Sequence, residues 1–409
     1  MRVVITGMGA LAPNGNTVPE YWNSLVSGKS GIDHITYFDT TDFPVKIAGE
    51  ISNFNPEDHF ERKEVRKLDP FSIYALVACN EAVQMSGLDS FNFDQNRAGV
   101  MVGCGIGGIN TLLDQHDVLK NSGARRISPF FVTKLIVNIA GGQIAIKWNL
   151  KGPNQTIVSA CASATDAIGM ALRVIQSGMA DIMIAGGTEA SVCDLPLAGF
   201  SKIRALCNDA EPPQSASCPF DKNRSGFVMG EGAGMLVLET EEHALARGAT
   251  ILGELAGYGV TNDAYHVTQP AEGGTGAVNA MQLAIKDAKA KPKDVNYINA
   301  HGTSTPFNDK NETAAIKTVF GEHAHRLKIS SSKSMTGHLL GGAGGIESVF
   351  TVLAIYNQIS PPTINIFNQD PKCDLDFAAN EAKKINIKAA LKNNFGFGGT
   401  NGSLIFKKI

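Results

Sequence analysis

The sequence predicts an α/β fold built from two core-sized units. Short apolar runs that end at glycine alternate with amphipathic stretches along the whole chain, a pattern typical of strands that alternate with helices. A chain of 409 residues is longer than a single hydrophobic core normally serves. A strand, a turn of small residues and a small-residue helix occur around residues 156–177 and again around residues 327–358. This echo suggests a duplicated unit, although such units are common enough to recur by chance.

The individual elements follow from apolar periodicity and from the turn residues that bound each run. The predicted strands are Arg2–Thr6, Ala98–Gly103, Thr156–Ser159, Asp181–Gly186, Gly234–Glu239, Ile251–Val260, Val295–Ala300, Leu327–Ser330 and Gly402–Lys407. The predicted helices are Pro19–Ser27, Pro70–Ser86, Val132–Trp148, Ala162–Ser177, Glu241–Arg247, Thr275–Ala290, Lys310–Phe320 and Gly342–Gln358. No break in composition marks a flexible linker, so we expect residues 1–250 and 251–409 to form two halves packed together.

Composition and charge narrow the possible partners and location. The net charge of −3 gives no general reason to expect nucleic acid or a membrane surface as a partner. No apolar run is long enough to span a bilayer. The segment Met1–Gly9 has the pattern of a strand entering a glycine turn and lacks the regions of a signal peptide. We therefore expect a cytoplasmic protein.

Neither a metal site nor a bound cofactor is predicted. The seven cysteines are odd in number and include no C-x-x-C pair, which disfavours disulfides and zinc. H-E-x-x-H and phosphate-loop motifs are absent. The run Gly103–Gly108 matches G-x-G-x-x-G, but Ser128 and Pro129 stand where a dinucleotide site would carry an acidic residue. These glycines are better explained by the close approach of another group to the backbone.

Cys161 lies where the strand-like run Thr156–Ser159 turns through small residues into the predicted helix Ala162–Ser177. A thiol at a helix N-terminus faces unpaired backbone N–H groups and the positive end of the helix dipole, which favours the thiolate and lowers its pKa. A lone cysteine is more often a small buried residue. A reactive thiol is favoured by two histidines and a lysine that lie later in the chain.

Two histidines and a lysine occupy glycine-flanked turns later in the chain. His301 stands in Asn-Ala-His-Gly-Thr-Ser-Thr-Pro, and Lys333 and His338 stand in Lys-Ser-Met-Thr-Gly-His. A cysteine nucleophile needs an acyl-type electrophile and donors that stabilise developing negative charge, and histidine can supply such a donor. A single histidine is more often structural than catalytic, so the cluster carries the prediction rather than either residue alone.

A further glycine-rich turn lies near the C-terminus, in Asn393-Asn-Phe-Gly-Phe-Gly-Gly-Thr-Asn401. Gly396 separates Phe395 from Phe397, which suits a mobile aromatic gate beside a site. A plain turn into the last strand explains the same spacing equally well.

In this order, over essentially all 409 residues, the motifs resemble those of a β-ketoacyl-acyl-carrier-protein synthase, and most closely the elongating type II enzymes of bacterial fatty-acid synthesis. The resemblance implies a thiolase fold, in which two similar α/β halves form a duplicated five-layer αβαβα sandwich, and a homodimer. It also implies decarboxylative Claisen condensation of an acyl-carrier-protein thioester with malonyl-acyl-carrier protein, with no cofactor.

The resemblance assigns catalytic roles as well. Cys161 accepts the acyl chain, with the backbone N–H groups of Cys161 and Phe397 as the oxyanion hole. His301 and His338 hold the thioester carbonyl of the malonyl group and stabilise the enolate that forms as carbon dioxide leaves. Both imidazoles must then donate hydrogen bonds, and the sequence does not fix which ring nitrogen carries the proton. Lys333 orders the site.

Other residues are expected around this centre. Phe395 belongs to the gate, and Glu347 pairs with Lys333, with a solvated helix carboxylate as an equal alternative. The acyl pocket is assigned to Ile106 and Phe200, and contacts to the substrate's pantetheine arm are assigned to Thr303 and Thr305. Core packing explains the first two nearly as well, and hydrogen bonding within their own turn explains the threonines.

The carrier protein is acidic in this family, so basic surface segments are candidate docking sites. They are Arg62, Lys63, Arg66 and Lys67 in one segment and Arg125 and Arg126 in another. Most charge runs are only solvated faces. As docking sites, these residues would speed association and make it sensitive to salt.

Two departures from the family pattern leave the preferred chain length open. The pair Phe307-Asn308 replaces smaller residues after Thr-Pro, and Gly342 and Gly345 stand where alanines are usual. Either change could alter the pocket or the packing of the following helix.

Four other functions compete with this prediction. A condensing enzyme of a specialised polyketide or polyene pathway would keep every catalytic residue. A non-catalytic partner subunit that sets chain length lacks the nucleophile, so Cys161 and both histidines argue against it. A biosynthetic thiolase needs a second cysteine near the C-terminus, where only Cys373 lies, outside the glycine turn. An initiating condensing enzyme carries asparagine where this chain has His338.

Overall fold

The computed structural model describes residues 1–207 and 209–409, and its centre is a mixed sheet of ten strands. The first half of the chain contributes β1 (Val3–Leu11), β2 (Ala98–Gly103), β3 (Asn154–Ile157), β4 (Ile182–Glu189) and β5 (Gly232–Thr240). The second half contributes β6 (Gly253–Asn262), β7 (Tyr297–Asn299), β8 (Lys328–Ser330), β9 (Ala389–Gly396) and β10 (Thr400–Lys407). Two small strand pairs, 33–34 with 47–48 and 359–360 with 383–384, lie outside this sheet.

The helices of the described residues are α1 (Val18–Ser27), α2 (Arg62–Val65), α3 (Pro70–Ser86), α4 (Ile109–Ser122), α5 (Phe131–Leu135), α6 (Ile139–Trp148), α7 (Ser163–Gln176), α8 (Asp194–Lys202), α9 (Glu241–Ala246), α10 (Thr275–Asp287), α11 (Pro306–Phe320), α12 (Lys333–Thr336) and α13 (Ala343–Asn357). Helices α1, α3 and α11 begin alike, at Thr17, Asp69 and Thr305. Each of these side chains accepts a hydrogen bond from a backbone N–H of the first turn, and a proline follows within two residues.

The two halves of the sheet have the same topology. Read from its outer edge, the first half runs β3-β2-β4-β5-β1, and the second runs β8-β7-β9-β10-β6. In both halves the first three strands are parallel and the last two are antiparallel to their neighbours. The halves join where β1 pairs with β6, with Val4 opposite Glu254 and Ile5 opposite Gly253. The chain is therefore a duplicated α/β unit.

The helices form three layers around the two half-sheets. Helices α3 and α6 cover the outer face of the first half, and α10 and α11 cover that of the second. Helices α7 and α13 pack between the halves. A helix between two sheets must be apolar on all sides, and every residue of α13 from Ala343 to Ile355 is buried. The predicted five-layer thiolase arrangement is confirmed.

Among the longer elements, the predictions missed strand β9 and helices α4 and α8 and merged two helices into one. Strand β9 was missed because its polar residues Lys392, Asn393 and Asn394 interrupt the apolar pattern, yet all three are fully buried. The single helix predicted over Val132–Trp148 is two helices, α5 and α6, because the backbone is extended at Ile136. The division at residues 250 and 251 stays a prediction and falls in the connection between α9 and β6. Within the described part of the chain, no helix combines the length and apolar character needed to cross a membrane.

Candidate active site

The turns that the sequence singled out meet at one cavity of about 450 Å³ between the two halves. Cys161 precedes α7 in the first half, whereas His301 follows β7 and His338 follows α12 in the second. Phe395 and Phe397 reach the same cavity from the end of β9. The duplication therefore brings the nucleophile candidate and both histidines to one place, although they are far apart in the chain.

The turn that carries Cys161 is tightly constrained. The residue before it, Ala160, has a φ of 50°, the left-handed region that side chains other than glycine rarely adopt. The Ser163 hydroxyl donates to the Ala160 carbonyl at 2.7 Å and accepts the Ser159 N–H at 2.9 Å. Across the cavity, a Cβ at Gly396 would lie 2.9 Å from the Cys161 nitrogen, so glycine is required for this approach. These contacts fix the position of the sulfur.

The thiol of Cys161 is protonated at rest. Burial raises its pKa to about 11, against the opposing effects of the Lys333 charge and the Phe397 N–H. The pKa is therefore raised rather than lowered as expected, because Cys161 lies before the first helical residue and the effect of burial outweighs that of the Lys333 charge. The thiol is thus a neutral nucleophile that must lose its proton during the reaction.

The two imidazoles face each other and are uncharged. Their ring centroids lie 5.4 Å apart in an edge-to-face arrangement. Burial lowers the pKa of both His301 and His338 well below the usual value, and the nearby Lys333 charge lowers both further. Neutral imidazole has one donor nitrogen and one acceptor nitrogen.

Hydrogen bonds at Nδ1 decide the tautomer of each ring. The backbone N–H of Leu340 donates to His338 Nδ1 at 3.2 Å. The side-chain amide of Asn394 donates to His301 Nδ1, also at 3.2 Å. Because Nδ1 accepts in both rings, the proton is assigned to Nε2 in both. The site therefore contains two neutral imidazoles with free Nε2–H donors.

Behind the histidines lies a buried ion pair. Lys333 forms a hydrogen bond with the Glu347 carboxylate and donates to the His301 carbonyl oxygen at 2.6 Å. The other Glu347 oxygen accepts the Asn394 amide at 2.8 Å. The expected pairing of Lys333 with Glu347 is present, and through the His301 carbonyl it holds the turn that carries His301.

The four predicted substrate-contact residues also line the cavity, together with Phe307 and Asn308. Phe200 packs against Phe397, with ring centroids 6.4 Å apart, and against Phe227 at 5.5 Å. Phe227 in turn contacts the His338 ring at 5.3 Å. This aromatic row links the gate to the histidines. The Thr303 and Thr305 hydroxyls lie 2.9 Å apart, so they also satisfy each other.

Sequence reasoning missed several polar residues that shape the site. Glu189, at the end of β4, is buried and accepts the backbone N–H groups of Gly105, Ile106 and Gly341 at 2.8 to 3.1 Å. It thereby holds the loop that carries Ile106 beside the cavity. Its position as a carboxylate at the end of an apolar strand could have identified Glu189 from the sequence. Asn394 was read only as part of a glycine-rich turn.

The basic residues assigned to docking are all exposed and lie outside the cavity. Lys67 stands over the ring of Phe130 at 5.7 Å, which brings the segment around Arg66 next to the segment that follows Arg126. Arg62 and Lys63 are each within ion-pair distance of a neighbouring glutamate, Glu57 and Glu61. The contact between Lys67 and Phe130 is the link between the two basic segments.

Comparison with known families decides the relationship. Residues 1–244 match the N-terminal domain of beta-ketoacyl synthases, and residues 252–367 match the C-terminal domain. The chain belongs to the β-ketoacyl synthase family. The 3-oxoacyl-[acyl-carrier-protein] synthase 2 of Staphylococcus aureus strain MRSA252 is 52% identical to this β-ketoacyl synthase over 100% of this chain and 99% of its own length. The enzyme of the same name from Synechocystis is 49% identical over 100% and 98%.

Solved structures of β-ketoacyl synthases share the whole fold. A type II polyketide ketosynthase, AntDE, solved with its acyl-carrier protein AntF, superposes with a TM-score of 0.92 at 37% identity, covering 100% of this chain and 99% of that one. A β-ketoacyl synthase from Burkholderia phymatum gives 0.92 at 35% identity with the same coverage. The similarity extends over both halves.

Proposed function

We propose that this β-ketoacyl synthase elongates fatty acids by condensing an acyl-carrier-protein thioester with malonyl-acyl-carrier protein. It is an acyltransferase that carries the growing chain on its own thiol. The observation that carries the assignment is the convergence of a cysteine and two neutral Nε2–H imidazoles on one apolar-walled cavity. The full-length relatives named 3-oxoacyl-[acyl-carrier-protein] synthase 2 support the choice of substrate.

In the first stage the acyl group moves to the enzyme. The Cys161 sulfur attacks the thioester carbonyl, the new S–C bond replaces the bond to the pantetheine sulfur, and the thiol proton leaves with the pantetheine thiol. The Phe397 N–H, which points at the Cys161 sulfur, and the Cys161 N–H stabilise the oxyanion. Because the resting thiol is protonated, this stage requires no separate removal of a proton to solvent.

In the second stage the malonyl thioester loses carbon dioxide. The Nε2–H groups of His301 and His338 donate to its carbonyl oxygen and stabilise the enolate as the C–C bond to the carboxylate breaks. The enolate carbon then attacks the carbonyl of the acyl-cysteine, and the Cys161 thiolate leaves and takes up a proton. Lys333 and Glu347 hold the His301 turn in place, and the Lys333 charge also favours the anionic state.

Partners and location follow from the same proposal. The exposed surface formed by Arg66, Lys67 and Arg126 fits an acidic acyl carrier protein. The edge strand β3 suits pairing with a second copy of the chain, as a homodimer requires. A condensing enzyme that uses carrier-protein thioesters works where these are made, so we place it in the cytoplasm.

The test is a Cys161→Ala variant assayed with acyl-carrier proteins of graded chain length and malonyl-carrier protein, with products read by mass spectrometry. We expect the wild-type enzyme to form an acyl-enzyme and to add one two-carbon unit, and the variant to form neither. Cys79→Ala, which alters a buried cysteine of α3 far from the cavity, serves as the matched control and should keep full activity. Normal acylation of the Cys161 variant would refute the mechanism.

The same assay distinguishes a fatty-acid elongating enzyme from a condensing enzyme of a polyketide pathway. With no reductase present, a fatty-acid elongating enzyme stops after one condensation, whereas a polyketide enzyme continues to extend the unreduced β-ketoacyl chain. Products that carry several added ketide units would assign the protein to a specialised pathway instead.

A further inference from the structure

A second lysine, Lys392, is fully buried beside the active site and has no part in the chemistry above. It lies on β9 with none of its surface exposed to solvent. Its ammonium group forms hydrogen bonds with the Thr165 hydroxyl and the Asn394 side-chain oxygen, and lies 3.7 Å from the Glu347 carboxylate. A buried lysine with three oxygen neighbours is costly to desolvate, so its presence needs an explanation.

Strand geometry explains why Lys392 reaches Asn394. Residues two apart on a strand point to the same face, so both side chains project from β9 towards α7 and α13. Thr165, on α7, donates its hydroxyl to the same Asn394 oxygen. The Asn394 oxygen is thus surrounded by donors, and its amide nitrogen points the other way, towards Glu347 and His301.

The orientation of this amide controls the His301 ring. A lysine ammonium can only donate hydrogen bonds, so the atom of Asn394 that faces it must be the oxygen. The nitrogen then donates to His301 Nδ1 at 3.2 Å and leaves the proton of that ring on Nε2. If the amide turned over, its oxygen would face Nδ1, the ring proton would move to Nδ1, and His301 would lose its donor towards the substrate.

We infer that Lys392 is a positioning residue that fixes the Asn394 amide and, through it, the donor tautomer of His301. The inference rests on the proposed function, because the donor tautomer matters only if His301 stabilises an enolate. Charged neighbours of Lys392 are Glu347 on α13, Lys333 on α12 and Asp166 on α7. Burial lowers the Lys392 pKa to about 7, and Glu347 opposes this effect. The neutral amine also has an acceptor lone pair, so Lys392 orients the amide strictly only while it is protonated.

The test compares Lys392→Met, an unbranched apolar side chain one atom shorter and without donors, with Lys392→Gln, which keeps an N–H donor without charge. Two reactions are measured for each: acylation of Cys161, which does not use His301, and decarboxylation of malonyl-carrier protein, which does. Loss of one of two oxyanion donors costs roughly 100-fold in rate. We expect kcat for decarboxylation to fall about 10- to 100-fold in Lys392→Met, with acylation retained and much of the loss recovered in Lys392→Gln.

Lys407→Met is the control, because Lys407 is a half-buried lysine of the neighbouring strand β10 that donates to the Ala288 carbonyl, away from the cavity. It should leave both reactions unchanged. Equal losses of acylation and decarboxylation in Lys392→Met would mean a structural role and overturn the inference, as would unchanged kinetics or a Gln variant as impaired as the Met variant. If the wild-type enzyme does not decarboxylate malonyl-carrier protein, the proposed function itself fails, which is a separate result.

Discussion

At the scale of single residues, the two histidines are held neutral by their surroundings. The folded protein disfavours protonation of His301 and His338, whereas an unfolded chain protonates its histidines near pH 6.5. Below that pH the unfolded state therefore binds protons that the folded state does not. The sign follows from linkage: the stability present above pH 6.5 is lost as the pH falls.

This predicts a pH-dependent stability difference for His338→Asn. The variant loses one buried neutral imidazole, so its free energy of unfolding should fall less steeply than that of the wild type between pH 6.5 and 5. The difference in slope is at most about 1.4 kcal/mol per pH unit. Urea unfolding at half-unit pH steps measures it. His116→Asn, which changes an exposed histidine, is the control and should follow the wild-type slope. Parallel slopes for the His338 variant would contradict the neutral imidazole.

The sequence could predict a site residue only where the residues next to it in the chain formed an informative pattern. Cys161, His301 and His338 were predictable because each stands in a turn rich in small residues. Their protonation states were not, since burial and the proximity of the Lys333 charge arise only when the chain folds. Lys392 was invisible for the same reason, because a lysine in a strand is normally a sign of solvent exposure.

At the scale of elements, segments with a regular apolar pattern were predictable and irregular ones were not. Helix α3 was predicted to the residue, from a proline start and a glycine after its end. Strand β9 was missed because its three central polar side chains are satisfied by hydrogen bonds to Thr165, Glu312 and Glu347 in other elements. Helix α4 was missed too, since Thr111 is its single fully buried residue.

The prediction for carrier-protein docking concerns the short helix α2 and the basic residues that follow it. Arg66→Glu with Lys67→Glu reverses two exposed charges that face the approaching acidic partner, which slows association. We expect KM for malonyl-carrier protein to rise about tenfold and its dependence on salt to weaken. Decarboxylation of a small malonyl thioester should be unaffected, because the cavity is untouched. Steady-state kinetics at low and moderate salt measure both substrates.

The matched control for this pair is Lys383→Glu with Lys384→Glu, two adjacent exposed lysines in a different part of the chain. This control variant should show wild-type kinetics with both substrates. Unchanged carrier-protein kinetics in the Arg66 and Lys67 variant would remove this surface from the docking site.

At the scale of the whole molecule, the sheet has one covered edge and one open edge. The edge strand β8 is covered, since the Ile329 N–H donates to the Asp376 carbonyl at 2.9 Å. Strand β3 has no such cover among the described residues, and exposed apolar side chains flank it: Val158 is 56% exposed, and Ile146 on α6 is 75% exposed. An uncovered edge strand with exposed apolar neighbours can pair with another chain.

We therefore predict that Val158→Lys dissociates the proposed homodimer. If the two-fold axis of the proposed dimer passes beside Val158, the variant would bury two like charges in an apolar contact, which costs several kcal/mol. The dimer dissociation constant should rise at least about 100-fold, as measured by sedimentation equilibrium over a range of concentrations. Leu245→Lys changes an equally exposed leucine on α9, away from this edge, and should remain dimeric. A Val158 variant that stays dimeric at the same concentrations would place the subunit interface elsewhere on the molecule.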